Sequence, residues 1–234
     1  MKDLFGKAIL DFQTNNSPED IVTETNISEA DDMEVAYLFR SFEQMPKLEQ
    51  EALQLSKGKI LDIGCGAGSH SLHLQENNFD VTAIDISENA IKACQLRGLK
   101  NAKVQNLLDI EDEKFDTILL LMNGTGIFGT LNETSKYLQK LKSLLNPNGQ
   151  ILIDSSDIIY MFDEDDDGSY LVPANQYYGE LTFTISYKNE TETAFPWLYL
   201  DYNTLQNVAH ANGFNCELVI EGKHFDYLAK LTIS

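Results

Sequence analysis

The stretch from residue 59 to residue 70 limits the possible folds more than any other part of the chain. It reads Lys-Ile-Leu-Asp-Ile-Gly-Cys-Gly-Ala-Gly-Ser-His, with Gly64, Gly66 and Gly68 at alternate positions. A short apolar run, then glycines, then helical spacing predicts a buried strand, a tight turn and a helix. Glycine allows positive φ and close approach of a ligand, and the unpaired N–H groups of a helix start favour a bound polar group. We therefore predict a ligand-binding loop here.

A second predicted strand ends in an acid. Residues 81–84 read Val-Thr-Ala-Ile and are followed by Asp85, which lies 21 positions after Gly64. In a parallel sheet this acid would lie at the same edge as the glycine loop, where a carboxylate can accept hydrogen bonds from both hydroxyls of a ribose. The two features together indicate a site for an adenosine-containing cofactor.

The glycine spacing distinguishes two classes of cofactor. A dinucleotide fingerprint, G-x-G-x-x-G/A, would place a third small residue where the chain has Ser69. The chain instead reads D-x-G-x-G-x-G from Asp62, which resembles motif I of the class I S-adenosylmethionine (SAM) dependent methyltransferases. Further segments resemble this family in the same order, namely Asp-Ile-Ser at 85–87, the Phe-Asp strand at 115–121 and the Leu-Leu-x-Pro-x-Gly turn at 144–149. The resemblance covers roughly residues 56–154 strongly and the remainder loosely.

The resemblance implies that SAM is the cofactor and indicates which residues hold it. In the family, the acid after the second strand binds ribose, the next apolar residue packs on adenine, and a polar residue after the third strand meets the adenine amino group. For this last role Asn106 is preferred over Asp109. Arg40 could bind the SAM carboxylate or a substrate acid, although a surface arginine is an equal alternative. The predicted cofactor-binding residues are Asp62, Gly64, Cys65, Gly66, Gly68, Asp85, Ile86, Asn106, Leu107, Met122 and Arg40.

The catalytic residues are less defined. A sulfonium methyl is already activated, so the protein mainly has to align it with the acceptor. A base helps a hydroxyl acceptor and is dispensable for an amine with a free lone pair. The candidates are His70, Asn123, Asp154 and Tyr160, of which His70 is also explained as a structural residue at a helix start. A glycine-rich turn explains Asn123 equally, and helix capping near Asp157 competes with a role for Asp154.

The alternation of apolar strands and helices predicts an α/β fold with a doubly wound, mostly parallel sheet. Strands are expected near 59–63, 80–84, 103–106, 115–121 and 149–154, and helices near 69–77, 87–97 and 131–145. The family resemblance implies seven strands in the order 3-2-1-4-5-7-6, with the last strand antiparallel.

A single domain is expected over residues 1–234. Its segments are an N-terminal helical lid (1–56, with helices at 1–15, 29–42 and 48–55), a SAM-binding core (57–154), an inserted β-hairpin (155–200) and a C-terminal helix with a closing hairpin (201–234). The strands of the insert are expected at 180–188 and 191–200, with Pro196 indicating a sheet edge. The aromatic residues of the insert would either cap an acceptor pocket or pack the hairpin on the sheet; they are Tyr170, Tyr177, Tyr178, Phe195, Trp197 and Tyr199.

Composition limits the partners. The chain has 17 basic and 37 acidic residues, a net charge of −20, which would repel phosphate backbones and disfavours nucleic acid. No apolar run approaches the ~20 residues of a membrane helix, and the start lacks the apolar core of a signal peptide. Three widely spaced cysteines show no metal-binding spacing and indicate reduced thiols in the cytoplasm. The acidic run at 163–167 is interpreted as a solvated loop rather than a calcium site.

The sequence therefore predicts a SAM-dependent methyltransferase that acts on a small molecule, with no metal, nucleic-acid or membrane partner. The alternatives are a SAM- or nucleotide-binding protein without transferase activity and an NAD-dependent oxidoreductase, against which the spacing at Ser69 argues. The sequence leaves open the acceptor, the atom that is methylated and the oligomeric state.

Overall fold

A computed structural model describes residues 2–234. The strands, in chain order, are β1 (Ile21–Thr25), β2 (Ser28–Met33), β3 (Lys59–Ile63), β4 (Asp80–Asp85), β5 (Ala102–Val104), β6 (Phe115–Leu120), β7 (Leu145–Ser156), β8 (Glu180–Tyr187), β9 (Glu190–Thr191), β10 (Phe195–Leu198), β11 (Phe214–Glu221) and β12 (Asp226–Ile233). The α-helices are α1 (Leu4–Thr14), α2 (Lys47–Leu55), α3 (Ser69–Glu76), α4 (Glu88–Leu96), α5 (Thr134–Ser143) and α6 (Tyr202–Ala211). No helix in this part of the chain has the length and apolar character needed to cross a membrane.

Seven strands form the main sheet in the order β5-β4-β3-β6-β7-β12-β11. The first five are parallel, whereas β12 runs antiparallel to both β7 and β11. Numbered 1 to 7 along the chain within this sheet, the strands lie in the order 3-2-1-4-5-7-6. This confirms the predicted order and the antiparallel last strand. The ends of β3, β4, β5, β6 and β7 meet at one edge of the sheet, called the carboxyl edge below, where ligands of such sheets bind.

The central strands are apolar on both faces because helices cover both faces. Ile118 and Leu120 of β6 pack in the cluster that includes α5 and α6, and Leu119 between them packs in the cluster that includes α2. All three are fully buried. Strands enclosed in this way are expected to form continuous apolar runs rather than an alternating pattern, as residues 118–122 do.

The predicted helix at 29–42 is wrong. Residues 28–33 are strand β2, which pairs antiparallel with β1, and only short 3₁₀ turns follow, at Val35–Phe39 and Phe42–Gln44. The helical spacing of apolar residues begins only at Val35, and residues 28–32 carry no apolar stripe that a helix could bury. The N-terminal segment is therefore only partly helical.

A second sheet joins the N-terminal segment to the insert. Its order is β10-β8-β1-β2, with the short β9 also paired to β8. The insert thus forms a hairpin as predicted, but its returning strand is interrupted between β9 and β10. There the carboxylate of Glu192 accepts hydrogen bonds from the backbone N–H groups of Lys2 (2.7 Å) and Leu4 (3.3 Å) at the start of α1. Pro196 lies on the outer strand β10, where its missing N–H costs no sheet hydrogen bond.

The second sheet contacts the carboxyl edge through the indole of Trp197. A Cβ added to Gly126, in the loop after β6, would lie 2.0 Å from Cε2 of this ring. On the other side, α1 packs against α4, where Asn89 Nδ2 donates to Asp3 Oδ2 at 2.9 Å. The insert and the N-terminal segment therefore border the edge at which a ligand would bind.

We predict that Gly126→Ala displaces Trp197 and lowers the free energy of unfolding by about 1–3 kcal/mol through overpacking. Trp197 is the only tryptophan of the sequence, so its fluorescence reports the displacement directly. Gly98→Ala is the control, because an added Cβ there has nothing within 4 Å and meets only the strained φ of +92°. An unchanged Trp197 spectrum in Gly126→Ala would contradict the packing described here.

Candidate functional site

The loop after β3 takes a shape that requires its glycines. Gly64, Gly66 and Gly68 have φ of +71°, +52° and +81°, values that residues with a Cβ rarely adopt. The loop is attached to the neighbouring strand because the N–H groups of Gly64 and Cys65 both donate to the Ile84 carbonyl, at 2.9 and 3.1 Å. The predicted strand, glycine turn and helix are all present.

Asp85 lies directly against this loop. Its Oδ2 accepts a hydrogen bond from the Gly66 N–H at 3.0 Å, and its Oδ1 accepts one from the Ser87 N–H at 2.9 Å. Burial raises the pKa of Asp85 above its ordinary value, and the two backbone hydrogen bonds only partly oppose this. Each oxygen keeps lone-pair capacity for a further donor. Beside it, Ile86 is 57% exposed and offers an apolar surface that a flat ring could cover.

Two other predicted cofactor residues point their side chains into the protein. The buried carboxylate of Asp62 accepts a hydrogen bond from Ser71 Oγ at 2.6 Å and so fixes α3 against β3. The thiol of Cys65 is buried 3.9 Å from the Cys94 sulfur. That contact, followed by burial, raises the pKa of Cys65, which disfavours a reactive thiolate. Cys65 therefore contributes its backbone to the loop.

Asn106 lies at the end of β5 beside Asp85, since the preceding residue, Gln105, donates its N–H to the Asp85 carbonyl at 2.9 Å. Asn106 Oδ1 accepts from the Leu108 N–H at 2.9 Å and caps a 3₁₀ turn. Leu107 is buried within that turn, and Asp109 ends it. Of the two residues considered for the adenine amino group, Asn106 is the one that adjoins the Asp85 strand.

A buried cluster of three charged or titratable side chains lies next to the loop. Both oxygens of Glu49, on α2, lie 2.5 Å from Nη2 of Arg40, and Oε2 lies 2.6 Å from Nε2 of His70 on α3. All three residues are buried, so Arg40 is not the surface arginine considered as an alternative. Arg40 also donates from Nη1 to the Tyr37 carbonyl at 2.6 Å, whereas its buried Nε has no partner among residues 2–234.

Glu49 was missed by the sequence analysis, although a signal was present. It is a charged residue on the apolar face of α2, between Leu48 and the buried Ala52 and Leu53. A charge in such a position is rarely tolerated without a partner. Burial raises the pKa of Glu49, but the hydrogen bond and charge of His70 and the charge of Arg40 outweigh it, so its pKa is lowered overall.

The loop after β6 encloses the carboxylate of Asp154. Met122 and Asn123 both have positive φ, +65° and +60°, which is unusual for two consecutive residues with side chains. This backbone shape directs the N–H groups of Met122 and Gly124 to Oδ2 and Oδ1 of Asp154, each at 2.9 Å. Asn123 itself accepts from Ser155 Oγ at 2.9 Å and so ties the loop to β7.

Asp154 is buried, and no cationic side chain among residues 2–234 forms a hydrogen bond with it. Burial raises its pKa to about 7, against the effect of its two backbone hydrogen bonds; the charge of Glu49 raises it further and that of His70 lowers it. Burial also raises the pKa of Tyr199 to about 12, followed by the charges of Tyr160 and Asp154. Tyr199 lies close to Asp154 along the chain fold, because the next residue, Leu200, donates its N–H to Ser155 Oγ at 2.9 Å.

The predicted site residues therefore form two neighbouring groups. One consists of the glycine loop, Asp85, Ile86 and Asn106 at the ends of β3, β4 and β5, and the other of Met122, Asp154 and Tyr160 at the ends of β6 and β7. His70 follows the glycine loop, and its charge acts on Asp154. Since its Nε2 contacts Glu49, a base role would fall to the other ring nitrogen. The acidic run at 163–167 lies elsewhere, in a small turn closed by a bridge between Glu164 and Tyr170.

Comparison with known proteins gives one consistent result. The sequence profile of a family described as "methyltransferase domain" matches residues 54–213. A SAM-dependent methyltransferase from Bacteroides fragilis, solved in complex with S-adenosyl-L-homocysteine, is 45% identical, with a TM-score of 0.92 over 100% of this chain and 95% of that one.

Curated relatives match over a shorter stretch. YqeM of Bacillus subtilis is 30% identical over 136 residues, which is 52% of this chain and 55% of that protein. A ubiquinone biosynthesis O-methyltransferase of Xanthomonas euvesicatoria is 27% identical over 109 residues, 43% of this chain and 44% of that enzyme. The chain thus spans about half the length of the curated relatives it matches.

We predict that Glu49→Gln lowers the free energy of unfolding by about 3–5 kcal/mol at neutral pH, because Arg40 loses its buried counter-charge and the hydrogen bond to His70 is weakened. The pKa of Glu49 is lowered in the folded protein from its ordinary value of 4.5, so its charge stabilises the fold above that pH. This contribution is lost as the pH falls through the folded pKa. Urea titrations at several pH values should show the gap between wild type and variant closing in acid.

Glu51→Gln is the matched control on the same helix, for which we expect a change within about 0.5 kcal/mol. An equal effect of Glu49→Gln and Glu51→Gln would show that the buried cluster contributes nothing to stability.

Asp154 should show the opposite pH dependence. Its folded pKa is about 7, above the unfolded value, so the unfolded state gives up its proton first as the pH rises. The free energy of unfolding of wild type relative to Asp154→Asn should therefore fall between pH 4 and about 7 and then level off. Subtracting the free energy of unfolding of the variant from that of wild type removes the contributions that the other titrating groups make to both proteins. A difference that grows with pH over this range would refute the assignment.

Proposed function

Because this chain belongs to the methyltransferase-domain family and is a SAM-dependent methyltransferase, we propose that it transfers the methyl group to a small molecule bound at the ends of β6 and β7. We propose also that the cofactor-binding residues are those predicted from the sequence, with Gly66 and Asp85 at their centre. The family membership does not support the alternative function, that of an NAD-dependent oxidoreductase.

The contact between Gly66 and Asp85 is the observation that carries the assignment of the cofactor site. It joins the glycine loop of β3 to the acid of β4 at 3.0 Å, which is the arrangement needed for one ligand to contact both. A Cβ added to Gly66 would meet only Ile9 Cδ1, at 4.0 Å, so the loop surface there has room for a ligand. The exposed side chain of Ile86 supports an adenine position next to Asp85. These features fit an adenosyl group.

When bound, SAM supplies a methyl group already activated by the sulfonium. The chain would contribute position and electrostatics: Asp85 would accept hydrogen bonds from the ribose, Ile86 would cover one face of the adenine, and Arg40 would meet a carboxylate. The orphaned Nε of Arg40 supports this last role. On the acceptor side, Asp154 is the residue with both the position and the proton affinity to take up a proton.

The acceptor side supports a small molecule rather than a polymer. The second sheet, through Trp197 and Leu198, lies on the loop after β6, which restricts access to Asp154. The net charge of −20 opposes binding of nucleic acid. Three cysteines are free, which supports the predicted cytoplasmic location, because that compartment keeps thiols reduced.

We predict that Asp85→Ala weakens binding of SAM and of S-adenosylhomocysteine by about 1–3 kcal/mol, because the ribose hydroxyls and the Gly66 N–H lose their acceptor. Calorimetric titration of the purified protein measures this directly. Glu113→Ala is the control, since that acid pairs with Lys59 at the start of β3, on the opposite edge of the sheet. An Asp85→Ala dissociation constant equal to that of wild type would remove Asp85 from the site.

A further inference from the structure

The acceptor side of the carboxyl edge exposes aromatic rings. Tyr160 and Phe225 stack on each other with ring centroids 5.0 Å apart and planes 19° from parallel, yet they are 52% and 59% exposed. Tyr37, whose own ring lies under the Arg40 guanidinium, is also exposed. A stacked aromatic pair left open to solvent beside a candidate active site offers ring faces to a ligand.

These rings lie in the electrostatic field of carboxylates. Burial raises the pKa of Tyr37 first; the charges of Glu49, Asp154 and Asp226 raise it further, and Arg40 opposes them. The pKa of Tyr199 is raised in the same way, by burial first and then by the charges of Tyr160 and Asp154. The backbone places the stacked pair close to Asp154, because the Phe225 carbonyl accepts a hydrogen bond at 2.9 Å from the N–H of Asp157, three residues after Asp154. The exposed rings and Asp154 therefore lie in one region of negative potential.

The guanidinium of Arg40, which lies over the Tyr37 ring, already has a counter-charge. Arg40 is buried against Glu49, which contacts its guanidinium with both oxygens. A cavity of about 480 Å³ adjoins the stacked pair, with Phe225 in its wall. Its charged lining consists of four carboxylates and one ammonium: Asp157, Asp201, Glu221, Asp226 and Lys223. A negatively charged acceptor would be repelled from this region, whereas a cation would be attracted.

Ring faces beside carboxylates are the surroundings that bind ammonium groups, through cation–π and charge interactions. We propose that the methyl acceptor is a primary or secondary amine, bound as its ammonium form between the Tyr160 ring and Asp154. This inference rests on the proposed function and adds the class of acceptor to it.

The chemistry balances with the groups present. The ammonium gives one proton to the Asp154 carboxylate, which becomes a carboxylic acid and leaves a neutral amine with a free lone pair. The lone pair forms the N–C bond to the methyl group, and the C–S bond breaks with its electron pair going to sulfur. The products are a methylated ammonium and S-adenosylhomocysteine, and Asp154 then returns its proton to solvent. A hydroxyl acceptor would need a stronger base, because its pKa lies much further above that of a carboxylic acid.

The test uses a cation and a neutral molecule of the same shape, choline and 3,3-dimethylbutan-1-ol, titrated by NMR into the protein saturated with S-adenosylhomocysteine. We expect choline to bind at least about tenfold more tightly than the neutral isostere. Tyr160→Ala should weaken choline binding by about fivefold, and Tyr160→Phe, which keeps the ring face, should restore it. Equal binding of the two molecules, or equal loss in both Tyr160 variants, would overturn the proposal.

The design separates this inference from the proposed function. If the protein fails to bind S-adenosylhomocysteine, the cofactor site itself is misassigned. If it binds that compound but shows no preference for choline, only the amine inference fails. A turnover assay with 2-phenylethylamine and 2-phenylethanol adds a second readout: methylation of the amine alone supports the proposal, and methylation of the alcohol alone overturns it. Where neither is methylated, the choline comparison decides.

Discussion

The site depends first on a backbone that glycine adopts without strain. Three residues of the loop after β3 have positive φ, and the loop keeps this shape because the Ile84 carbonyl and the Asp85 carboxylate of β4 accept its N–H groups. The interior limits the loop as well, since a Cβ at Gly68 would lie 2.8 Å from the Cys94 sulfur. The same strand thus both shapes the loop and supplies the acid that a ribose would meet, so the loop and the acid cannot move independently.

The parts of the molecule that the sequence predicted well are those with local causes. The strands β3, β4 and β6 are apolar because they are covered on both faces, and the glycine loop is recognised by its spacing. The error at residues 29–42 arose because β2 is defined by a partner, β1, which in turn pairs with β8 about 160 residues later in the chain. A polar strand such as Ser28–Met33 has no periodicity of its own, so nothing local distinguishes it from a loop or a helix end.

The site was predicted unevenly for a related reason. Asp85 and Gly66 could be paired from strand order alone, because the ends of neighbouring parallel strands must meet. Arg40 and His70 were noticed, but their shared partner could not be, since Glu49 reaches them from a helix that precedes the first core strand. The spacing of residues along one chain does not report such a three-element contact. The only indication of this contact in the sequence is that Glu49, a charged residue, lies on the apolar face of α2.

Two of the buried acids of the site, Glu49 and Asp154, show how the surroundings of a carboxylate determine its role. Glu49 is enclosed with Arg40 and His70, so the charged form is favoured and its pKa is lowered. Asp154 is enclosed with only two backbone N–H groups, which are too weak to offset burial, so its pKa rises to about 7. A carboxylate that stays charged can hold other groups in place, whereas one that titrates near neutrality can exchange a proton with a ligand. We therefore propose a structural role for the acid on α2 and proton transfer for the acid on β7.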